Sequence, residues 1–546
     1  MKLSDFSINI LIAVISSFLF IPFIGSVHLF DWDEINFAEC AREMIVSGDY
    51  LFVKINYQPF WEKPPLFIWM QAVSMNVFGI NEFAARLPDA LCGIITLLVV
   101  FNIGKRIYDT KFGILWSLIY AGSFLPHFYF KSGIIDPWFN LFVFSGIYFF
   151  IHATNEEVSS KNNLKIILSA FFIGLAILTK GPVAMLIFAS CCAIYWFTKK
   201  FLPIISSQQI FIFLTISILV GGVWFVIEIL TGKFSVIVDF LNYQLRLLST
   251  EDSGHGGPFF YHFIVLLIGC FPASILALKA FKKYNSDTPF QKHFKTWMIV
   301  LLCVTLFIFS VVQTKIIHYS SLCYFPLTYL AAYTAHKIIN YESGWKTWMS
   351  SATLVIGGMF GIIFTMLPFT DGLKEKIISA RIIHDEFALA NLQAQVHWNA
   401  FDYFIGPVFL IALLWILLAI KKRNPQKKII ALFSITLLTV NVACIAIAPK
   451  VEQYSQGAAI EFFKSMKGKD CYVETVGYMS YAHLFYTEKK EPTNPNSYSI
   501  DWLLHEQIDK PAYFVSKITD ETVNKEQYPL LEELYRKNGF IFYKRK

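Results

Sequence analysis

The chain has 546 residues, 55% of them hydrophobic and only 16% charged, with a mean hydropathy of +0.52. A soluble globular domain carries about 25% charged residues, so this composition excludes a water-soluble protein and points to an all-α polytopic membrane domain. The net charge of +7 does not imply a nucleic-acid partner, because the basic residues fall in short clusters between apolar runs, as membrane topology requires.

The nine cysteines do not form a disulfide framework. Most lie in or beside apolar runs, where a thiol behaves as a small hydrophobe. Cys40 and Cys471 alone fall in polar stretches, and a bridge between them is left open. No thiol spacing suggests a zinc site.

A bilayer core needs about 20 apolar residues per helix. The first such run, 8–30, is too long for a signal-peptide core, lacks a small-residue cleavage site and reads as a retained helix. Further runs fall at 86–104, 112–130, 134–152, 164–179, 181–198, 208–231, 259–281, 296–314, 319–337, 348–369, 403–420 and 429–449, which makes thirteen expected spans. The pair 164–179 and 181–198 is split by Gly181-Pro182, since proline begins a helix more readily than it continues one. With the N-terminus cytoplasmic, the clusters Lys105/Arg106/Lys111, Lys199/Lys200, Lys282/Lys283/Lys292/Lys295 and Lys421/Lys422/Arg423/Lys427/Lys428 all share one side, as expected for the cytoplasm. The opposite side receives the loops 31–85, 232–258 and 370–402 and the tail 450–546.

Within the loop 31–85, Ile35, Ala38, Met44 and Ile45 suggest a helix lying along the membrane interface, followed by a second around Leu66–Phe78. The tail reads as a small α/β domain, 450–546, after a membrane domain of 1–449. Its expected strands are 470–476, 511–516 and 539–543, and the leucine spacing of 530–536 suggests a helix between the last two.

Ionisable residues recur at the outer ends of the runs: Asp31-Trp32-Asp33-Glu34, Glu62-Lys63-Pro64-Pro65, Lys131 with Asp136-Pro137, Lys180-Gly181-Pro182, His255, and Lys315 with His318. Each has a plain alternative, a cap, a snorkelling lysine or a loop residue. Lipid solvates charge poorly, so such groups generally face a bundle interior or a water-filled cavity. The five clusters after Asp31–Glu34, all at outer ends, favour a cavity open to the outer face. Asp31 itself reads as a loop or capping residue. Trp32, Phe60, Trp61 and Trp138, near these segments, either face that cavity or belong to an interfacial aromatic belt.

The pattern Asp33-Glu34, Ala38-Glu39-Cys40-Ala41-Arg42-Glu43, Glu62-Lys63-Pro64-Pro65, Ala84-Ala85-Arg86-Leu87-Pro88, Ile135-Asp136-Pro137, Thr179-Lys180-Gly181-Pro182 and Gly257-Pro258-Phe259-Phe260-Tyr261 resembles the GT-C membrane glycosyltransferases. Within them it is most similar to the bacterial aminoarabinose–lipid A transferases and their protein O-mannosyltransferase relatives. The resemblance covers roughly 1–330. It implies transfer of a sugar from a polyprenyl-phosphate donor to an acceptor such as lipid A or a protein hydroxyl, on the periplasmic side of a bacterial inner membrane; the sequence does not show the oligomeric state, and a monomer is the default expectation.

On that resemblance Asp33 is the general base and Asp136 a second catalytic carboxylate. Lys63, His255, Lys315 and His318 bind the donor phosphate. Glu34 and Glu62 support the site or coordinate metal. A divalent cation (zinc, magnesium or manganese) would be held by Glu62, Asp136 and His255. His318 departs from the family, which more often shows Lys-Leu-Pro there. Cations near the leaving phosphate and a single base imply inversion at the anomeric carbon. A transporter or flippase would instead place charges at mid-span in two repeats, and a receptor would leave the carboxylates and Lys63 without a role.

Overall fold

A computed structural model describes residues 4–154, 162–250, 256–282, 284–380, 383–420 and 424–545. The chain is mainly helical. α1 (Asp5–Phe20) leads into the outer loop, which holds α2 (Asp33–Ser47), a two-stranded hairpin β1–β2 (Lys54–Ile55 and Gln58–Pro59) and α3 (Leu66–Phe78). The bundle continues with α4 (Glu82–Ile107), α5 (Thr110–Ala121), α6 (Phe124–Phe128), α7 (Asp136–Thr154), α8 (Asn163–Lys180), α9 (Val183–Thr198), α10 (Ser207–Gly221), α11 (Val223–Leu230) and α12 (Phe234–Ser249). Beyond these, the longest helices are Pro289–Val311, Tyr324–Ile339, Thr347–Met366, Asp402–Leu418 and Pro425–Ala446.

Among the described residues, five helices are long and apolar enough to cross a bilayer, or seven when two bent pairs are each taken as one span. Several expected runs are broken. The run 112–130 becomes α5, α6 and a 3-10 turn, and 208–231 becomes α10 and α11, bent by 57°. Proline and glycine interrupt the backbone ladder at these points: Pro126 lies in α6, and Gly222 separates α10 from α11. The loop 232–258 contributes the amphipathic α12.

The core of the bundle is one continuous apolar cluster running from Phe20 and Trp116 through Phe144 and Trp297 to Tyr329 and Phe433. A second cluster joins the outer loop to the tail: Ile35, Phe37, Phe67 and Ile68 pack with Phe462, Phe463, Leu484, Phe485, Val515 and Phe542. For this reason α2 is buried continuously from Glu34 to Met44 and does not lie along the interface as its spacing suggested.

The tail carries a four-stranded sheet in the order β3–β4–β6–β5, with β3 (Tyr472–Val476) parallel to β4 (Ala512–Lys517) and the other pairs antiparallel. β5 (Glu532–Lys537) is a strand where a helix was expected. The reason is the turn Asn538-Gly539, both residues at positive φ (49° and 79°). This is the geometry that reverses a tight hairpin, and it pairs Lys537 with Phe540 of β6 (Phe540–Arg545). All nine cysteines are free thiols, Cys40 and Cys471 included.

Candidate active site

A cavity of about 490 Å³ opens where α2, α7, α8 and the 3-10 segment Ile317–Cys323 converge. Its polar lining includes Asp33, Lys63, Lys131, Asp136, Lys180 and His318, and its apolar lining includes Phe23, Phe128 and Ile316. A charged end beside an apolar surface suits an amphipathic ligand with an anionic head.

Local structure explains the placement. Between α6 and α7 the chain turns through 117° over residues 132–135. The turn's amides are held by two buried carboxylates: Gly133 N donates to Glu34 Oε1 at 2.5 Å, and Ile134 N donates to Asp89 Oδ2 at 3.0 Å. Asp136 therefore begins α7, with Pro137 in the first turn, where a missing amide costs nothing. Glu34 also accepts two guanidinium bonds from Arg86 (3.0 and 2.7 Å) and one from Phe30 N. Arg86 donates in turn to the carbonyls of Ile24, Val27 and His28. This bidentate pair ties the end of the first span to α4 and fixes the entry of α2, and with it Asp33.

At the floor of the cavity Lys180 Nζ stands 2.5 Å from Asp136 Oδ1, and His318 Nε2 lies 3.1 Å from Asp33 Oδ2 and 3.8 Å from Asp136 Oδ2. One imidazole thus stands between two carboxylates. Ser321 supports Asp136 at 3.5 Å and is itself held by Asn140. Lys180 ends α8, and Gly181 leaves it at φ +92°, with its Cα so close to Phe240 that a Cβ would sit 2.7 Å from that ring. Lys63 lies over the Tyr243 ring at 4.9 Å. Burial opposes ionisation of Asp33. The His318 hydrogen bond and charge, with Lys63 and Lys180, overcome it and hold the carboxyl at about 2.

The other expected site residues lie elsewhere. Lys315 is buried and donates to the carbonyls of Phe309, Ser310 and Val312, so it caps the helix Pro289–Val311 and lies outside the cavity lining. Glu34 lines the cavity with its oxygens already engaged by the frame. Glu62 is not part of the lining. His255 lies outside the described residues. Among the described residues no three His, Cys, Asp or Glu side chains come together as metal ligands, and Asp136 already faces Lys180 and His318. Sequence reasoning missed Tyr129, Tyr243 and Tyr319 as lining residues. Tyr243 was hidden because the loop carrying it showed no helical signal strong enough to place it.

In fold the chain is similar to the GT-C membrane glycosyltransferases. Its residues 62–228 match the family described as dolichyl-phosphate-mannose-protein mannosyltransferase. It is 24% identical over 348 residues to the undecaprenyl phosphate-alpha-4-amino-4-deoxy-L-arabinose arabinosyl transferase of Shewanella sediminis, covering 61% of this chain and 60% of that one. It is 29% identical over 341 residues to the same-named protein of Wigglesworthia glossinidia brevipalpis, covering 61% and 59%. The matched part thus spans about three fifths of these relatives' length. The crystal structure of ArnT from Cupriavidus metallidurans bound to undecaprenyl phosphate superposes with a TM-score of 0.75 at 15% identity, covering 99% of this chain and 98% of that one.

Proposed function

We propose that the protein transfers a sugar from a polyprenyl-phosphate donor to an acceptor on the outer face of a bacterial inner membrane, with inversion at the anomeric carbon. The observation that carries this is the pairing of two carboxylates, Asp33 and Asp136, around His318, with Lys63 and Lys180 beside them in a cavity that also presents the apolar side chains Phe23, Phe128 and Ile316. The proposed topology is thirteen crossings, N-terminus cytoplasmic and C-terminus periplasmic, acting as a monomer.

In the proposed step the acceptor oxygen attacks the anomeric carbon as the carbon–oxygen bond to phosphate breaks. The electron pair leaves with the polyprenyl phosphate. Lys63 and His318 meet that developing charge, and the long apolar wall takes the prenyl chain. Asp33, oriented by His318 at 3.1 Å, removes the acceptor's proton. A carboxylate held at about 2 is a weak base towards an alcohol. A phosphate acceptor, with a second pKa of about 6, arrives largely ionised and asks little of it. That favours a phosphorylated glycolipid such as lipid A over the serine and threonine hydroxyls used by mannosyltransferase relatives. A similar relative's name and a bound undecaprenyl phosphate in the Cupriavidus structure support aminoarabinose and undecaprenyl phosphate as the first donor to try.

The test uses radiolabelled polyprenyl-phosphate sugars, the protein in lipid discs and a host membrane extract. Wild type should release polyprenyl phosphate and label the acceptor. Asp33→Asn should lose about 100-fold or more in turnover while keeping affinity for the bare lipid phosphate, and Lys63→Ala should weaken that affinity. Near-normal turnover in Asp33→Asn would remove it as base. Silence with every donor, together with lipid binding that Lys63→Ala leaves unchanged, would replace transfer with lipid transport.

A further inference from the structure

A second cavity, of about 430 Å³, lies in the outer region between the tip of the β1–β2 hairpin and the segment that follows β3. Asn56, Glu474, Tyr478, Ser480, Tyr481 and His483 define it. It shares a wall with the first cavity. The Asp31 carboxyl, which lines the first, lies against the Ser480 hydroxyl and the Tyr481 backbone, and Trp32 packs on Tyr481 with ring centroids 5.8 Å apart.

The lining has specific unmet needs. His483 is only 4% exposed, yet its Nδ1 has no hydrogen-bond partner among the described residues, and neither has the buried Oδ1 of Asn56. A buried polar atom left unpaired costs about 1–3 kcal/mol. The charge in the cavity is already balanced: Glu474 faces His483 Nε2 at 3.1 Å and Lys489 Nζ at 2.9 Å. A cation therefore finds its carboxylate engaged, and an anion meets Glu474. What remains is a demand for donors beside two tyrosine rings, since Asn56 Oδ1 accepts and His483 Nδ1 accepts when Nε2 turns its proton to Glu474. Hydroxyl groups on a ring with apolar faces answer both needs.

We propose that this cavity is a saccharide subsite that holds a sugar unit of the acceptor while the acceptor's reactive group reaches past Asp31 and Trp32 to the first cavity. The proposal rests on the transferase reading for its link to the acceptor, but binding itself is testable without turnover. The hairpin tip matters to it: Asn56 and Tyr57 both sit at positive φ (54° and 57°), with Tyr57 N bonded to Glu43 and Tyr57 Oη to the Lys489 carbonyl. The strained turn is thereby pinned where it presents Asn56 to the cavity.

The experiment is saturation-transfer NMR with the full chain in lipid discs. The probes are soluble disaccharides of glucose, mannose and N-acetylglucosamine, run beside polyprenyl phosphate as a separate ligand. Wild type and Asp33→Asn should bind at least one disaccharide equally. His483→Ala should weaken that binding roughly tenfold, the size of one or two lost hydrogen bonds. Met479→Trp should abolish it by filling the cavity from an exposed position (Met479 is 62% exposed). Both variants should bind polyprenyl phosphate as wild type does. Disaccharide binding that survives Met479→Trp, or no disaccharide binding while polyprenyl phosphate still binds, overturns the subsite and leaves the transferase reading standing. Loss of polyprenyl-phosphate binding by wild type, with disaccharide still bound and displaced by Met479→Trp, would sink the transferase reading and keep a saccharide site.

Discussion

Asp136 and Lys180 meet at the start of one helix and the end of another, both nearly shut off from solvent, at 2% and 10% exposure. Neither charge is at home there alone. Removing one member of a buried pair leaves the other uncompensated and costs about 3–5 kcal/mol, whereas replacing both by apolar groups of similar size is often neutral. Lys180→Met should therefore lower thermal stability by about 3 kcal/mol, read as a fall in unfolding temperature in detergent. The double variant Lys180→Met/Asp136→Leu should recover most of that loss while remaining inactive. A double variant as unstable as the single one would mean that Lys180 acts through packing on Phe139 and Tyr319. The residues of this pair were legible in the sequence because ionisable groups at membrane depth have few acceptable places to be. Their partners were not. Nothing along the chain says that Lys180 faces Asp136, or that Lys315 turns back to cap its own helix.

At the scale of elements, local signals decided some cases and tertiary contacts the rest. Helices at Asp33–Ser47 and Leu66–Phe78 follow from apolar spacing, and the break at Gly181-Pro182 falls where proline chemistry puts it. The run 530–536 has leucines at helical spacing and folds as β5 because the Asn538-Gly539 reversal joins it to β6. That dipeptide is among the strongest short-range hairpin signals, and here it outweighs side-chain periodicity. Gly539 has a second reason to stay small. At φ +79° an added Cβ would stand 3.0 Å from the Phe387 ring and 3.1 Å from its carbonyl oxygen. Gly539→Ala should accordingly cost about 1–2 kcal/mol. Hydrogen exchange should show the loss first in β5 and β6 and in the Glu386–Asn391 helix that covers the turn. Protection unchanged there would mean that the hairpin tolerates another reversal.

For the whole molecule, the tail and the outer loop form one body over the membrane bundle. They share a core, and α2 reaches the tail through a buried polar seam in which Arg42 pairs with Glu39 (2.6 Å) and donates to the Lys489 carbonyl. No sequence signal revealed this, because the two halves of the seam lie more than 400 residues apart. Glu43 is its titrating member. Burial, then the neighbouring Glu39 charge, raises its carboxyl to about 8, against the Tyr57 amide and Arg42, which favour ionisation. The sign follows from linkage: a carboxyl whose folded value exceeds its unfolded one binds its proton more tightly when folded. Its stabilisation is complete below about 4.5 and is lost as pH rises towards about 8. The lowered carboxyls, Asp33 and Glu474 at about 2, change stability only below their ordinary range, whereas Asp31, which faces Ser480 and Tyr481 of the tail, is raised by burial as Glu43 is. The seam between outer loop and tail should thus loosen between pH 5 and pH 8, by about 1 kcal/mol or more. Limited proteolysis of the 48–60 segment and exchange in α2 at the two pH values would read it. Glu43→Gln, which keeps the shape of the protonated acid, should hold the seam at its low-pH stability throughout. If that variant retains the full pH dependence, the titrating group lies elsewhere in the seam and Glu43 is ionised in the folded protein.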